Sequence, residues 1–264
     1  KCFSADFIDV GEGDCCLLAF PDGKTFLIDC GDKGLAEDAL KRFTENRKDK
    51  SFDYVLLTHP DADHIGGAEN VIRKFGLKTA FLPDIKEDCL NDFPLYARAY
   101  RAIEECGAAI KVSQEFTEIK GDDYFVAFLS PAPSSMRNSP YRDLRLNPSD
   151  DAFRNDVSPV VCVECYGRRF VFTGDSGVKQ EKYVLDRYNA GVYDKAFGKG
   201  KVNLTRTDFL KVSHHGASDC SGEEFLKTLS CKNAVISVGG DNRYGHPSSS
   251  VIKGLIGAFN DCAV

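Results

Sequence analysis

The chain has 264 residues, of which 42% are hydrophobic and 28% are charged. This is enough apolar sequence for the core of one large α/β domain, so we predict a single domain over residues 1–264. The formal net charge of -6 excludes a protein that is basic over its whole surface, although a local basic groove for nucleic acid is compatible with it.

Cysteine usage and hydropathy indicate the compartment. The 11 cysteines are scattered through apolar runs, as expected of reduced, buried thiols. Cys162 and Cys165 have the spacing of a redox or zinc pair, but residues three apart on a strand point to opposite faces, which favours core packing. No apolar run approaches about 18 residues and no leader is visible, so we expect a cytoplasmic protein. Because the chain begins at Lys1, we also expect a processed product or a domain of a longer protein.

Early hairpin strands are followed by alternating strands and helices. Two apolar runs within residues 3–20 flank the sequence GEGD, and a turn then leads to a third strand. This order predicts an α/β fold with sheet layers covered by helices on the outside. The other predicted strands are residues 25–30, 54–58, 79–83, 124–130, 157–166, 169–173, 208–213 and 234–238. The predicted helices are residues 35–48, 65–75, 94–106, 179–188, 223–229 and 249–259.

Two segments interrupt the alternation. Residues 134–154 are rich in Pro, Ser, Asn and Arg without any period, which predicts a long functional loop or lid. Residues 195–206 form a basic loop that contains glycine. Their cations are equally compatible with a solvated surface and with a basic rim that holds nucleic acid: Arg137, Arg142, Arg145, Arg154, Lys195, Lys199, Lys201 and Arg206.

All five histidines lie at strand ends or in polar loops: His59, His64, His214, His215 and His246. A single histidine of this kind is usually a surface residue or a core residue whose hydrogen bonds are all made. Here that explanation would have to apply to all five histidines. In residues 54–67, YVLLTHPDADHIGG, an apolar strand ends in two carboxylates and two imidazoles. Helix capping by Asp63 would need one of these residues and not four, so the cluster favours metal ligands at the carboxyl edge of a sheet.

Three further segments place acids or histidines after an apolar strand or in a polar loop. They are FVFTGD at 170–175, FLKVSHHG at 209–216 and YGHPS at 244–248. Each is weak by itself. Together with residues 54–67 they carry every histidine of the chain, which predicts one metal-dependent site.

The sequence resembles the metallo-β-lactamase superfamily, and within it the hydrolase domain of bacterial competence proteins, which is attached to DNA-uptake channels. The motifs that carry the resemblance are FIDVGEGD at 7–14, THPDADHIGG at 58–67, NDVS at 155–158, FTGD at 172–175, SHHG at 213–216 and YGHP at 244–247. They span nearly the whole chain in the same order. The resemblance implies an αββα sandwich of two mixed sheets with a dinuclear metal site at one edge.

The resemblance also implies roles for individual residues. His59 and Asp61 would hold one metal ion, and Asp63 and His64 the other, with Asp175 bridging both. His214 would complete the second site because it follows a strand directly, although His215 is an alternative ligand. Catalytic roles fall to Asp63, His215 and His246, where the imidazoles hydrogen-bond phosphate or protonate the leaving group. Substrate-binding roles fall to Asn155, Ser158 and His246.

Two departures from the superfamily pattern concern the first metal site. Most members have histidine where this chain has Asp61, and a further histidine where it has Asn155 or Ser158. Oxygen in place of imidazole hardens the site, so we expect two divalent ions that are either Zn²⁺ or Mn²⁺. The first site is short of ligands, and an empty site is compatible with the sequence.

The working hypothesis is a phosphodiesterase or nuclease that acts on DNA through a metal-activated hydroxide. The partner is then a phosphodiester substrate, DNA in this hypothesis, and the sequence leaves protein partners undetermined. A second hypothesis is hydrolysis of a smaller substrate, such as a phosphocholine ester, a cyclic nucleotide or a lactone, with a β-lactam the least favoured. A third is a non-catalytic binding module that keeps the fold with an incomplete metal site.

Overall fold

The computed structural model describes residues 2–45, 47–135 and 154–258. The described residues form two compact units, each built around a six-stranded sheet. Unit 1 contains residues 2–113, Arg154 and 239–241, and unit 2 contains residues 114–135, 155–238 and 242–258. The single domain expected over residues 1–264 stays a prediction.

The sheet of unit 1 follows the chain order from β1 to β6. Its first three strands are antiparallel hairpins, and β3 to β6 run parallel to one another. The strands are β1 (Ser4–Phe7), β2 (Cys16–Ala19), β3 (Thr25–Ile28), β4 (Phe52–Leu56), β5 (Leu77–Leu82) and β6 (Ala109–Val112). The helices are α1 (Ala36–Thr44), α2 (Ala62–Ile65), α3 (Ala68–Phe75) and α4 (Pro94–Glu105), with a 3₁₀ helix at Glu87–Asp92.

The sheet of unit 2 is also mixed. Strands β7 to β10 are antiparallel, whereas β10, β11 and β12 run parallel. The strands are β7 (Glu118–Lys120), β8 (Tyr124–Phe128), β9 (Val161–Cys165), β10 (Arg168–Phe172), β11 (Phe209–Lys211) and β12 (Asn233–Val235). The helices are α5 (Val178–Asn189), α6 (Val192–Phe197), α7 (Glu223–Leu229) and α8 (Ser249–Ala258), with 3₁₀ turns at Leu204–Arg206 and Ser213–Gly216.

Each sheet is held by an apolar core of its own. In unit 1 all four residues of β3 are buried, and Phe26 packs edge-on against Phe81 of β5. In unit 2 a cluster that includes Phe125, Leu210 and Leu226 joins the sheet to α7. Cys162 belongs to this cluster and Cys165 is buried, as core packing of both thiols requires. Parallel strands buried on both faces leave their carboxyl ends as the places where polar groups emerge.

The predicted α/β fold class is confirmed, because each unit contains a mixed sheet together with helices. Some local predictions differ from the structure. Strands β6 and β7 were not predicted, and all four residues of β6 are exposed, as in an edge strand. The predicted helix 65–75 begins only at Ala68, because Gly66 and Gly67 separate α3 from α2. The basic loop at 195–206 begins inside α6.

Two other expectations are only partly covered by the described residues. Of the predicted loop 134–154, residues 136–153 lie outside them, including Arg137, Arg142 and Arg145. Within the described ranges, no helix has the length and hydropathy needed to cross a membrane.

We predict that Gly67→Ala destabilises unit 1. A Cβ at Gly67 would lie 2.6 Å from Cys30 O and 3.2 Å from Asp32 O, and backbone atoms cannot rotate away. The expected loss in the free energy of unfolding is more than about 1 kcal/mol, measured by urea denaturation. The matched control is Gly257→Ala in α8, where a Cβ meets nothing within 4 Å. There, helix propensity should add up to about 1 kcal/mol of stability. Equal stabilities of the two variants would contradict the prediction.

Candidate metal centre

The buried carboxylate of Asp29 organises the site residues of unit 1. Asp29 directly follows β3 and has a left-handed backbone (φ 57°), so that its side chain meets the end of the parallel neighbour β4. It accepts hydrogen bonds from Thr58 N at 2.8 Å, from Thr58 Oγ1 at 2.7 Å and from His64 Nδ1 at 2.7 Å. Burial raises the pKa of Asp29, and its contacts with His64 and Thr58 oppose that rise.

These hydrogen bonds determine which nitrogen of each neighbouring imidazole carries a proton. Because Nδ1 of His64 donates to Asp29, its Nε2 keeps a lone pair, and that atom lies 3.8 Å from Asp63 Oδ2. The Thr58 hydroxyl donates to Asp29, so it accepts at 3.1 Å from Nδ1 of His59. Nε2 of His59 then faces Asp61 Oδ2 at 3.9 Å. Metal-binding histidines are typically held in this way, by an acceptor on the other ring nitrogen.

The glycine-rich loop between β1 and β2 holds Asp63 in place. Gly13 has φ 127°, and a Cβ there would lie 2.1 Å from the carbonyl oxygen of Asp63. The absence of a side chain lets Asp14 N donate to that same oxygen at 3.1 Å. Asp14, Asp29 and His64 offer ligand atoms within 4.8 Å of one another, but the 2.7 Å contact of Asp29 with His64 is a hydrogen bond. The nitrogen of His64 that could bind a metal ion is therefore Nε2, which lies near Asp63.

Asp61 is paired with a guanidinium group. Arg154 Nε lies 2.8 Å from Asp61 Oδ1, and Arg154 Nη2 donates to Asp61 Oδ2 at 3.3 Å. The two side chains are about one-quarter exposed or less. Burial raises the pKa of Asp61, and the charge of Arg154 acts in the opposite direction. Both carboxylate oxygens thus face one cation that belongs to the chain itself.

In unit 2 the parallel strands β10, β11 and β12 end at one edge, where His215 meets Asp175. Nδ1 of His215 lies 2.7 Å from the carbonyl oxygen of Ser237, which can only accept. Nε2 therefore keeps its lone pair and lies 3.4 Å from Asp175 Oδ2. His215 is buried and has φ 52°, a conformation that is uncommon for a residue with a side chain and concentrates at functional sites.

His214 differs from its neighbour in exposure and in its contacts. Its Nε2 lies 3.9 Å from Asp175 Oδ2 and 3.4 Å from Asn155 Nδ2, and its Nδ1 lies 3.4 Å from Asp219 Oδ1. It is 27% exposed, whereas His215 is 3% exposed. These contacts suit a residue that reaches substrate better than they suit an enclosed ligand.

The remaining predicted residues of unit 2 surround this pair. Ser158 is buried, and its Oγ accepts the backbone N–H of Asp175 at 3.2 Å. Asn155 Oδ1 is buried and accepts no hydrogen bond from the described residues. His246 lies 5.8 Å from the ring of His214, and Asn242 binds the backbone of His246 through two hydrogen bonds of 2.8 Å.

Each unit thus gathers the site residues predicted for its part of the chain, while their individual roles stay predictions. Unit 1 contains His59, Asp61, Asp63 and His64, and unit 2 contains Asn155, Ser158, Asp175, His214, His215 and His246. Sequence reasoning missed Asp29, Thr58 and Ser237, which orient the imidazoles. For Asp29 there was a signal, because it is an acid directly after an apolar strand.

Residues 8–133 match the sequence profile described as the metallo-beta-lactamase superfamily. The chain has the metallo-β-lactamase fold. It is 29% identical to ComE operon protein 3 of Bacillus subtilis in an alignment of 264 positions that covers 94% of this chain and 30% of that protein. It is 25% identical to Recombination protein 2 of Haemophilus influenzae over 96% of this chain and 26% of that protein. The resemblance inferred from the motifs is confirmed, and the chain spans less than one-third of these relatives.

Solved structures agree on the fold. The metallo-beta-lactamase fold protein YhfI from Bacillus subtilis aligns with a TM-score of 0.54 at 12% identity, over 99% of this chain and 95% of that one. Igni18, a metallo hydrolase from Ignicoccus hospitalis, aligns with a TM-score of 0.53 at 14% identity, over the same shares. CmlA, a diiron beta-hydroxylase from Streptomyces venezuelae, aligns at 0.52 and 17% identity, over 97% of this chain and 51% of that one. At such identities the likeness concerns the fold alone.

We predict that Asp29→Asn weakens divalent metal binding by about 10- to 100-fold, the effect typical of losing the partner of a ligating histidine. The neutral amide of the asparagine cannot stabilise the Nδ1 proton of His64 by charge, as the carboxylate of Asp29 does. Isothermal titration of Zn²⁺ or Mn²⁺ into metal-free protein measures the affinity.

The matched control is Asp53→Asn, which removes another buried carboxylate of unit 1. Asp53 binds Thr25 and Lys78 instead of an imidazole. Circular dichroism checks that both variants fold. Equal loss of affinity in the two variants would show that Asp29 has no particular role in metal binding.

Proposed function

We propose that this chain is a metal-dependent phosphodiesterase that hydrolyses DNA. Its fold is that of a superfamily of metal-dependent hydrolases. The observation that carries the proposal is the repeated arrangement of histidine beside carboxylate. His64 and His215 each have Nδ1 bound to an oxygen acceptor of the chain, and each turns Nε2 towards the carboxylate of an aspartate. This donor chemistry suits a transition-metal ion.

The ligands we propose are Asp63, His64, Asp175 and His215. The first two belong to unit 1 and the last two to unit 2, and the support for these residues as ligands is the family resemblance and the order of its motifs. His215 is preferred to His214 because its Nδ1 is fixed by Ser237 and its side chain is buried. His214 then takes the substrate-facing role that the sequence had given to His215.

The chain's own groups suit hydrolysis of a phosphodiester. When bound, a divalent ion would polarise the scissile phosphate and lower the pKa of water, so that hydroxide is available as the nucleophile near neutral pH. In the proposal Asp63 and Asp175 hold that charge in place, and the backbone N–H of Asp175 is in turn fixed by Ser158. His214, beside Asn155 and Asp219, and His246 bind the phosphate or protonate the leaving oxygen.

The proposed DNA substrate is supported by the relatives and by one exposed ring. The curated relatives include Competence protein ComA and Recombination protein 2, whose names refer to competence and to recombination. Tyr244 is 77% exposed and stacks on His246 at 5.7 Å with an interplanar angle of 13°. Its outer face offers a platform for a nucleobase, whereas a small phosphate ester would not need one.

The direct test is cleavage of single- and double-stranded DNA after removal of metal, with EDTA, Zn²⁺, Mg²⁺, Mn²⁺ or Fe²⁺ added. We expect degradation that requires a divalent ion and is absent from a His64→Ala, Asp175→Ala double variant. The variant, purified identically, controls for contaminating nucleases. A chromogenic phosphodiester and a cephalosporin are assayed in parallel.

The outcomes separate the alternatives. Turnover of the chromogenic phosphodiester without DNA cleavage would indicate that the substrate is a small phosphodiester and not DNA. No turnover in any metal would contradict the proposed activity and favour a non-catalytic module. That second candidate function is favoured by one contact in particular, the ion pair of Asp61 with Arg154, which removes one expected ligand.

We predict that Tyr244→Ala raises KM for single-stranded DNA by about ten-fold or more, because a base loses its stacking partner. The KM for the chromogenic phosphodiester should not change, and Tyr244→Trp should restore DNA affinity. The matched control is Tyr166→Ala, which removes another exposed tyrosine on the turn between β9 and β10. A uniform effect of Tyr244→Ala on both substrates would argue against stacking.

A further inference from the structure

The family resemblance implies a first metal ion between His59 and Asp61, and the residues of unit 1 do not fit it. A carboxylate ligand must offer an oxygen lone pair to the ion. Both oxygens of Asp61 instead face Arg154, Oδ1 at 2.8 Å from Nε and Oδ2 at 3.3 Å from Nη2. Among the described residues of unit 1, this leaves His59 as the ligand of that site.

The positive charge of Arg154 disfavours a metal ion beside Asp61, as the shortage of ligands does. An arginine side chain stays protonated at any pH at which proteins fold, so Arg154 carries a permanent positive charge against Asp61. A divalent ion beside Asp61 would face this charge at a distance of a few ångströms in a partly buried setting, where repulsion is weakly screened. The position expected to hold a further histidine is Asn155 or Ser158, and Asn155 belongs to unit 2 with its Nδ2 beside His214.

We propose that the protein binds one divalent ion, at the site of Asp63 and His64, and that Arg154 supplies the second positive charge in place of the other ion. This inference rests on the proposed metal-dependent function. A guanidinium group suits the task because its planar fork binds carboxylate and phosphate oxygens alike. Arg154 therefore stabilises Asp61 in the free protein and adds its positive charge to the site.

The test is metal stoichiometry, which does not depend on activity. Protein freed of metal is dialysed against excess Mn²⁺ or Zn²⁺, desalted and measured by elemental mass spectrometry. The wild type should retain about one equivalent. Arg154→Gln, which frees Asp61 without a large change in shape, should retain about two equivalents. Electron paramagnetic resonance of the Mn²⁺ samples should change from an isolated ion to an exchange-coupled pair.

Three further variants define the cause. Arg154→Lys keeps the charge and should stay at about one equivalent. Arg154→Gln combined with Asp61→Asn should return to about one, because the released ligand is gone. Arg168→Gln, which breaks another arginine–aspartate pair at Asp208, should have no effect.

The results distinguish this inference from the proposed function. Two equivalents in the wild type, or one equivalent in a folded Arg154→Gln variant, would overturn the role of Arg154 while the metal-dependent function survives. No retained metal in any folded variant would overturn the proposed function itself. Two equivalents in Arg154→Gln but one in the wild type and in Arg154→Lys would support the inference.

Discussion

The buried carboxylate of Asp29 is the interaction on which the site residues of unit 1 depend. It accepts from the backbone and the hydroxyl of Thr58 and from Nδ1 of His64. The Thr58 hydroxyl, having donated its proton, accepts from His59. One acid with no contact to solvent thereby sets the tautomers of two imidazoles and leaves the Nε2 atoms of His59 and His64 facing Asp61 and Asp63. Removing such an acceptor would leave buried donors unsatisfied, which costs more than the hydrogen bonds contribute.

In unit 2 the tautomer of His215 is set by a backbone carbonyl oxygen instead of a buried carboxylate. Ser237 follows β12 and offers a backbone carbonyl oxygen to His215, so no charged partner is required there. The left-handed backbone of His214 and His215 brings two consecutive imidazoles to one strand end and gives them different surroundings. His215 is enclosed beside Asp175, and His214 is more exposed between Asn155 and Asp219. Two adjacent residues of one type can thus serve different tasks.

The contact of Arg154 with Asp61 sets this chain apart from a symmetrical pair of metal sites. An ion pair that is partly shielded from water is stable when both oxygens of the carboxylate are engaged, and it lowers the affinity of that carboxylate for any other cation. The same guanidinium group keeps a positive charge beside the site at every pH. A positive charge that cannot dissociate makes the electrostatic field there independent of metal supply.

The sequence by itself determined the positions of the strands and the motifs at their ends, because both depend on local patterning. The apolar run before His59 and the acid after β10 are both visible within a few residues. The edge strand β6 was missed because its exposed residues carry no such pattern.

Only the tertiary structure decided how those residues act. His64 meets Asp29 across 35 positions, and Arg154 meets Asp61 across 93. The distinction between His214 and His215 likewise depends on Ser237 and Asp219. Ser237 is distant from the motif along the chain, and Asp219 is a polar residue in a segment without a recognisable pattern. Tautomers and charge pairing are set by hydrogen bonds between segments that are far apart along the chain. A reading of local periodicity has no access to such contacts.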